Sequence, residues 1–393
     1  MAEEVTTTSW FTRLKDAFIG IVIGLALIIG AIVLIFWNEG HSLHTALSLE
    51  QTKKVLISIP NTPVNEQNNL KVVYVSGLAT TKDNLVDSLL GITKNAINLN
   101  RTVEMYQWKQ KAETKKESQL GGSEKKITTY TYEKVWSKNL IDSSGFKTQE
   151  GHQNPVTMPI QSQVQYAKTV TLGDFSLSND LIKQVDVSQP VSLAEVNKEE
   201  LQTKLNKPVA LINNELYLGQ DAQSPQLGDV RINLTVVEPQ SVSIIGQQTG
   251  TTFQAYLAPA GERVLLLETG QRSSDEMIHN AQSENAMMAW MLRLVSLLIL
   301  IAGFSLIMNP LVILADVLPF LGSIVGFGTG FIAFLCGLSV WLVVTAIAWF
   351  AIRPPLSVGL IITAVVVGYG LIQLKSKKIS AASLGAELPT VSK

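Results

Sequence analysis

Cysteine is almost absent from this chain, and charged residues are scarce. A single cysteine, Cys336, stands among 393 residues, which excludes an intrachain disulfide and any CxxC metal or redox site. Charged residues make up 16% of the chain, whereas soluble proteins average about 25%. The formal net charge of -1 gives no electrostatic basis for nucleic-acid binding. The missing charge instead indicates long apolar segments.

Signatures of catalysis and metal binding are missing as well. The chain has no HExxH zinc motif, no GxSxG nucleophile elbow and no phosphate-binding loop. His41 and His44 have the spacing of a ligand pair, but no third ligand follows nearby, which favours a juxtamembrane surface. A proton relay between His152 and Asp174 or Asp229 stays open as an alternative, although turn chemistry accounts for these residues. We therefore predict no catalytic residue, no cofactor and no metal site.

Four apolar runs are long enough to cross a bilayer, which takes about 20 helical residues. The predicted transmembrane helices are 17–37, 287–308, 328–352 and 356–374. We expect Asn309-Pro310 to end the second helix, because proline disrupts a helix interior. The apolar segment 309–327, which contains Asp316, is too short to cross and is expected to be interfacial or re-entrant.

The basic residues that flank these runs predict the orientation of the chain. Arg13 and Lys15 precede the first helix, and the tail 375–393 opens with KSKK. Basic residues near helix ends favour the cytoplasm. The N-terminal segment 1–16 and the tail are therefore predicted to be cytoplasmic, and residues 38–286 to be periplasmic or lumenal.

The first helix ends in the stretch FWNEG, which predicts how the chain leaves the bilayer. Trp37 is expected at the headgroup level, and Asn38 and Glu39 are expected to meet water. Gly40 is expected to let the backbone turn.

The large segment between the first two predicted helices reads as mainly β-structure. Two β-rich runs, from Thr102 and from Lys126, flank a polar stretch with two glycines and predict a long hairpin. Asn213-Asn214 predicts a tight turn between two further strands. The predicted fold is a multi-pass α-helical membrane protein with four transmembrane helices and a large α+β, mainly antiparallel, extramembrane domain between helices one and two.

Small and ionisable residues in the apolar runs are the remaining site candidates. Glycines at four-residue spacing let helices approach closely in lipid, within one chain or between copies. The glycines expected at such contacts are Gly20, Gly24, Gly322, Gly326 and Gly330. Ionisable residues at membrane depth are candidates for function, here Arg293 and Asp316, although an interfacial position is favoured for both.

Several motifs resemble those of the transmembrane protein 43 family, also called LUMA. They are NEG followed by TALSL, VEMYQW, YTYEKVW, GHQNP, GDVR, LLLETG and RP, and they extend over nearly the whole chain. His41 departs from the family pattern, which has a basic residue there. The candidate family-motif residues are Asn38, Glu39, Gly40, Glu104, Tyr106, Trp108, Trp136, Gly151, His152, Asn154, Pro155, Gly228, Asp229, Arg231, Arg353 and Pro354.

The resemblance implies one N-terminal helix, a large periplasmic or lumenal domain and three C-terminal helices. It also implies a non-enzymatic scaffold in the membrane that self-associates and binds membrane or periplasmic/lumenal protein partners, and it brings no catalytic residues. A bacterial inner membrane is favoured, with the endoplasmic reticulum or inner nuclear membrane expected for a eukaryotic member. A channel or transport component gated by the outer domain, and a periplasmic or lumenal enzyme, are the alternatives.

Overall fold

A computed structural model describes residues 2–350 and, beyond them, positions 359, 362, 363, 365–367 and 369. The predicted fourth transmembrane helix, 356–374, therefore lies outside the described residues except at those positions. Arg353, Pro354 and the tail 375–393 lie outside them entirely. The count of four transmembrane helices stays a prediction.

Up to Phe350, the described residues form five α-helices, and three of them are long. They are α1 (Trp10–Val55), α2 (Asn179–Ile182), α3 (Lys198–Leu205), α4 (Ser274–Ala315) and α5 (Pro319–Phe350). Helices α1, α4 and α5 are long and apolar enough to cross a membrane. Ser273 caps the N-terminal end of α4, because the amide of Glu276 donates to Ser273 Oγ at 3.2 Å.

Two expected helix ends are absent from the long helices. α1 does not turn at Gly40 but continues to Val55, and Leu49 on this extension packs into a core with Met277 and Ile278. α4 does not end at Met308 but runs through Pro310 to Ala315. Apolar surroundings favour this continuation, since backbone groups in lipid must find hydrogen bonds within the protein. Segment 309–327 is thus divided between the end of α4, a short turn and the start of α5, and its interfacial position stays a prediction.

The remaining elements are strands and one short 3₁₀ turn, Glu66–Asn68. The strands are β1 (Ala2–Thr8), β2 (Ile57–Ser58), β3 (Val72–Thr80), β4 (Asn84–Asp87), β5 (Ile92–Asn95), β6 (Asn98–Ser118), β7 (Glu124–Ser137), β8 (Gln163–Tyr166), β9 (Thr171–Leu172), β10 (Phe175–Ser176), β11 (Gln189–Pro190), β12 (Val209–Ile212), β13 (Glu215–Leu218), β14 (Val230–Val237), β15 (Gln240–Thr249), β16 (Thr252–Gln254), β17 (Tyr256–Leu257), β18 (Arg263–Val264) and β19 (Leu266–Thr269).

Two larger sheets contain most of these strands. The first has the order β1-β7-β6-β14-β13-β12, with β8 beside β6 and β11 beside β14. The second has the order β10-β9-β3-β15-β16, with β19 beside β15 and β2 beside β3. The β2–β3 pair is parallel, whereas β6–β14 and β3–β15 are antiparallel. The mainly antiparallel β-domain predicted from the sequence is confirmed.

Both predicted hairpins are present. β6 and β7 are neighbours in the first sheet, and alternate residues of β6, among them Leu99, Val103 and Met105, point into its core. Asn213 and Asn214 both have positive φ, 49° and 63°, as a type I′ turn between β12 and β13 requires.

The chain divides into two compact units. The sheet unit comprises the residues up to Glu4, Leu47–Thr114 and Thr128–Gln282. The helical unit comprises Val5–Ala46, Lys115–Ile127 and the described residues from Ser283 onward. The hairpin tip therefore belongs to the helical unit, although its sequence comes from between the first two predicted membrane helices.

Small residues let the three long helices approach closely. A Cβ placed on Gly24 of α1 would lie 2.6 Å from the carbonyl oxygen of Gly303 in α4. A Cβ on Gly337 of α5 would lie 2.9 Å from Cγ1 of Ile301. Close backbone approach is the main source of helix–helix attraction in lipid, where the hydrophobic effect is absent.

We expect Gly24→Ala to destabilise the helical unit, because the added methyl group meets a backbone oxygen that cannot rotate away. Overpacking of this kind costs about 1–3 kcal/mol. The control is Gly30→Ala, since a Cβ there meets no described atom within 4 Å and both variants gain the same helix propensity. Thermal unfolding in detergent measures the difference, and equal midpoints for the two variants would contradict the packing argument.

Candidate functional site

A buried ion pair lies near the end of the apolar part of α1. Arg293 Nε is 2.6 Å from Glu39 Oε1, and Arg293 Nη2 is 2.8 Å from Glu39 Oε2. The side chains are only 8% and 5% exposed. This two-point geometry is the strongest arrangement available to an arginine and a carboxylate.

Tryptophan rings enclose this pair. The Arg293 guanidinium carbon is 4.7 Å from the ring centroid of Trp290 and 4.6 Å from that of Trp349. The Trp349 indole N–H donates to Glu39, and the Trp341 indole N–H donates to the Arg293 carbonyl oxygen at 3.0 Å. Residues from α1, α4 and α5 thus form one charged cluster. We call the part of the helical unit that contains this cluster the Glu39 end.

Asn38 belongs to the same end. Its side-chain amide donates to the Ala289 carbonyl oxygen at 3.2 Å and is buried. Asn38 and Glu39 were expected to meet water, and instead both hold α1 against α4. A Cβ on Gly40 would meet no described atom within 4 Å.

A second buried cluster surrounds Asp316, in the turn between α4 and α5. Arg13 Nη2 is 2.6 Å from Asp316 Oδ2, and Ser118 Oγ donates to the same oxygen at 2.6 Å. Arg13 Nη1 also donates to the Gly122 carbonyl oxygen at 2.5 Å. Asp316 is only 4% exposed. We call this cluster the Arg13 end of the helical unit.

The two ionisable candidates found in the sequence are therefore both buried in ion pairs. The sequence argument named Arg293 and Asp316 but not their partners, Glu39 and Arg13. A signal was present, because each partner has the opposite charge and flanks the first apolar run. Because each of these four side chains has an oppositely charged partner at hydrogen-bond distance, the two pairs are suited to holding the helices together rather than to transferring protons.

The glycine candidates contact residues of the same chain. Gly20 and Gly24 face Leu306 and Gly303 of α4. A Cβ on Gly322 would collide with Asp316, and one on Gly326 would lie 3.5 Å from Val312 Cγ1. Among the described atoms, nothing lies within 4 Å of a Cβ on Gly330.

In the sheet unit, motif residues from separate parts of the sequence meet on one face of the first sheet. Arg231 of β14 lies opposite Glu104 of β6, and its Nε donates to Glu104 Oε2 at 2.5 Å. The Arg231 guanidinium carbon is 4.9 Å from the Trp136 ring centroid. The Tyr106 ring packs against the same tryptophan at 5.1 Å.

The GHQNP loop packs beside these residues. The His152 ring stacks on Tyr132 at 3.9 Å between centroids and meets the edge of Trp108 at 4.8 Å. Asn154 accepts from the Trp108 amide at 2.7 Å and donates to the Trp108 carbonyl oxygen at 2.9 Å. Gly151 has φ of 76°, and Pro155 Cγ would be 3.2 Å from a Cβ on Gly228. We call this set of residues the motif patch.

Asp229, at the start of β14, is a buried member of the patch. Its carboxylate accepts from the Tyr217 hydroxyl at 2.5 Å and from the Gln226 amide at 2.8 Å. Burial of the phenol, and next its hydrogen bond to Asp229, raise the pKa of Tyr217 above its ordinary value.

The contacts of the described residues do not join His152 to either candidate carboxylate. His152 Nδ1 lies 3.1 Å from the Glu150 carbonyl oxygen, Asp174 accepts from Thr62 Oγ1 at 2.7 Å, and Asp229 is bound to Tyr217. Among the described residues, no group of three or more histidine, cysteine, aspartate or glutamate side chains is arranged to hold a metal ion.

Comparison with known proteins identifies the family. The family model for transmembrane protein 43 matches residues 105–354. The chain belongs to the transmembrane protein 43 family. No solved structure matches it significantly.

The family relatives cover most of the chain. Transmembrane protein 43 of Rattus norvegicus is 29% identical over 368 residues, which is 90% of this chain and 90% of the rat protein. The Homo sapiens protein is 29% identical over 353 residues, 87% and 86% of the two chains. The transmembrane protein 43 homolog of Drosophila melanogaster is 26% identical over 342 residues, 84% and 88% of the two chains.

We expect Arg293→Met to destabilise this family member by about 3–5 kcal/mol, because it leaves the buried Glu39 carboxylate without its counter-ion. The matched control is Lys53→Met, which breaks the pair with Asp275 at 2.8 Å between side chains that are 54% and 76% exposed. An exposed pair contributes at most about 1 kcal/mol. Unfolding midpoints in detergent test this, and similar losses in both variants would contradict the argument.

The stability of the sheet unit is expected to fall above about pH 10, partly through Tyr217. Its pKa is raised in the folded protein, so the stabilising contribution is complete below the unfolded value of about 10 and is lost as the pH rises above it. Tyr217→Phe removes this titration. Unfolding midpoints between pH 8 and 11 should therefore fall less steeply in Tyr217→Phe than in the wild type, and parallel curves would refute the assignment.

Proposed function

We propose that this chain is a non-enzymatic integral membrane scaffold, which self-associates through its apolar helices and binds partner proteins through its sheet unit. The observation that carries the proposal is an exposed face of α5 with large apolar side chains around a glycine. The partner-binding role draws on the motif patch.

The α5 face has helical spacing. Its exposed apolar residues are Phe320, Ile324, Phe327, Phe331 and Phe334. They recur every three or four positions, which places them along one side of a helix. Phe327 is 82% exposed, and Gly330 lies one turn further along, where a Cβ would meet no described atom. Protruding rings beside a small-residue gap suit the packing of a second helix in lipid.

The motif patch supports a binding role over a catalytic one. Glu104 binds Arg231, Asn154 binds the backbone of Trp108, and Asp229 accepts from the Tyr217 hydroxyl. A catalytic group needs access to a substrate at hydrogen-bond distance, whereas these groups hold the sheet and its loops together. Aromatic residues and arginine, which also belong to the patch and are half-buried, are enriched in protein interfaces.

The proposal includes insertion in a membrane, with both ends of the chain in the cytoplasm. Three helices able to span a membrane support an integral membrane protein. The basic residues near the first helix and in the tail favour cytoplasmic ends. A bacterial inner membrane remains the favoured location.

Chemical crosslinking in native membranes tests self-association. We expect wild-type chains to crosslink into dimers or larger species, and Gly330→Leu to weaken association by at least about fivefold, equivalent to about 1 kcal/mol. The control is Gly30→Leu, at a glycine of α1 where a Cβ also meets no described atom within 4 Å. Chains that stay monomeric at every expression level would overturn self-association. Equal association of the two variants would overturn the role of the α5 face.

A further inference from the structure

The outer side of α1 carries a groove at the Arg13 end of the helical unit. It has a volume of about 550 Å³ and is open to the surroundings. Its lining residues all belong to α1 and are Phe11, Leu14, Lys15, Phe18, Ile19 and Val22. A volume of about 300–1,000 Å³, with apolar walls and a few polar groups, is typical of sites that bind small molecules.

The groove lies on the side of α1 that does not pack against α4. Gly24 faces Gly303 of α4, so small residues mark the packed side of the helix. The lining residues recur every three or four positions along the other side. The Phe11 and Phe18 side chains are 77% and 56% exposed, and they form walls one turn before and one turn after Lys15.

One wall of the groove is held in place by its neighbours. The Phe11 ring meets the Trp10 ring edge-on at 5.0 Å between centroids. The Trp10 indole N–H donates to the Ile313 carbonyl oxygen of α4 at 2.9 Å. This wall is therefore ordered before a ligand arrives, which lowers the entropic cost of binding.

Lys15 is the charged group of the groove, and it has no counter-charge in the described part of the chain. Arg13, two residues earlier, is paired with Asp316 at 2.6 Å, whereas no ion pair among the described residues includes Lys15. Asp16 follows Lys15 in the chain but does not line the groove. A lysine beside an apolar surface keeps its stem on that surface and extends its ammonium group toward polar surroundings.

We propose that this groove binds a phospholipid with an anionic headgroup, with the phosphate at Lys15 and an acyl chain along Phe18 and Val22. Lys15 precedes the apolar run 17–37 by two residues, and Phe18, Ile19 and Val22 lie within that run. With α1 in a bilayer, this order places the ammonium group at the headgroups and the apolar lining beside the acyl chains.

The length of the groove fits one leaflet. Seven residues separate Lys15 from Val22, which in an α-helix is about 10 Å. The hydrocarbon part of one leaflet is about 15 Å thick. Leu25 and Ile29 continue the same side of α1 and are 50% and 62% exposed, so the acyl chain has an apolar path beyond the groove.

The charge of the Arg13 end favours an anionic headgroup over a zwitterionic one. The hairpin tip, Lys115–Ile127, belongs to the same unit and contains four lysines against two glutamates. Its Gly122 carbonyl oxygen accepts from Arg13 at 2.5 Å, which brings this positive charge to the Arg13 end. Basic residues beside a membrane helix attract anionic lipids. The inference does not depend on the α5 face or on the motif patch.

Native mass spectrometry of the purified full-length chain tests the site. The delipidated protein in mild detergent receives either phosphatidylglycerol, which is anionic, or phosphatidylcholine with the same acyl chains, which is zwitterionic. We expect phosphatidylglycerol to bind at least about fivefold more tightly, equivalent to about 1 kcal/mol, and Lys15→Gln to abolish that preference. The control is Lys54→Gln, which removes the same charge from a side chain of α1 that is 69% exposed and lies outside the apolar run.

Phe18→Ala tests the acyl part of the site, and we expect it to weaken both lipids equally, because it removes a wall that either acyl chain contacts. Equal binding of the two lipids by the wild type, or the same loss in both lysine variants, would overturn the role of Lys15. Unchanged binding in Phe18→Ala, or displacement of the lipid by an equal concentration of inorganic phosphate, would show an ion site and contradict the lipid assignment. Lipid retention that falls as the chains dimerise would place a second copy in the groove and would also contradict it.

The unfolding midpoints of the variants are compared with that of the wild type. Both substituted side chains are exposed, so we expect unchanged midpoints, and loss of lipid binding in a folded variant then reports on the groove. Crosslinking through the α5 face is measured separately, so the failure of one proposal is distinguishable from the failure of the other.

Discussion

The helical unit depends on one constraint, which is that a charge near hydrocarbon must find an opposite charge. Leaving one member of a buried pair unmatched costs several kcal/mol, a large fraction of the stability of a typical domain. Two such pairs close the two ends of the apolar helices, Arg13 with Asp316 and Glu39 with Arg293. Because the pairs lie about 39 Å apart along α1, they fix both the vertical position and the rotation of α1 against α4. A shift of one residue would rotate the helix by about 100° and break both pairs.

The two ion pairs fix the alignment of α1 against α4, and this alignment lets the helices approach closely between the two ends. Gly24 of α1 faces Gly303 of α4, and the Ala31, Ile35 and Leu300 side chains fill the space toward the Glu39 end. Lipid supplies no hydrophobic drive to bring helices together, so contact distance decides the attraction. Charge pairs set the alignment, and small residues let that alignment become tight packing. Neither feature would be sufficient alone, since glycines tolerate many registers and ion pairs do not fill space.

The sequence predicted those structural elements that are determined by residues close together in the chain. The apolar runs of α1, α4 and α5, the β6–β7 hairpin and the Asn213-Asn214 turn all depend on residues within one segment. The pairing of Glu39 with Arg293, about 250 positions away, does not. Each charge taken alone fits a residue at the headgroup level, and only the antiparallel packing of α1 and α4 brings opposite signs together. The predicted end of α4 at Pro310 was wrong for a related reason. The prediction counted only the hydrogen bond that proline cannot make, whereas the apolar surroundings of the helix determine whether it continues.

The motif patch shows why recognisable sequence motifs do not by themselves reveal a function. VEMYQW, GHQNP and GDVR are among the segments in which the sequence resembles the family, and the structure brings them together from three parts of the chain. Three of their polar side chains are nevertheless engaged within the protein: Glu104 binds Arg231, Asn154 binds the backbone of Trp108, and Asp229 binds Tyr217 of β13. Polar residues used in this way specify an architecture, since buried groups that are hydrogen-bonded favour one arrangement over others. The indole N–H of Trp108 in the same patch is buried and has no hydrogen-bond partner among the described residues. Contacts with other molecules are then to be sought on the half-buried aromatic rings of the patch and on exposed apolar surfaces such as the α5 face.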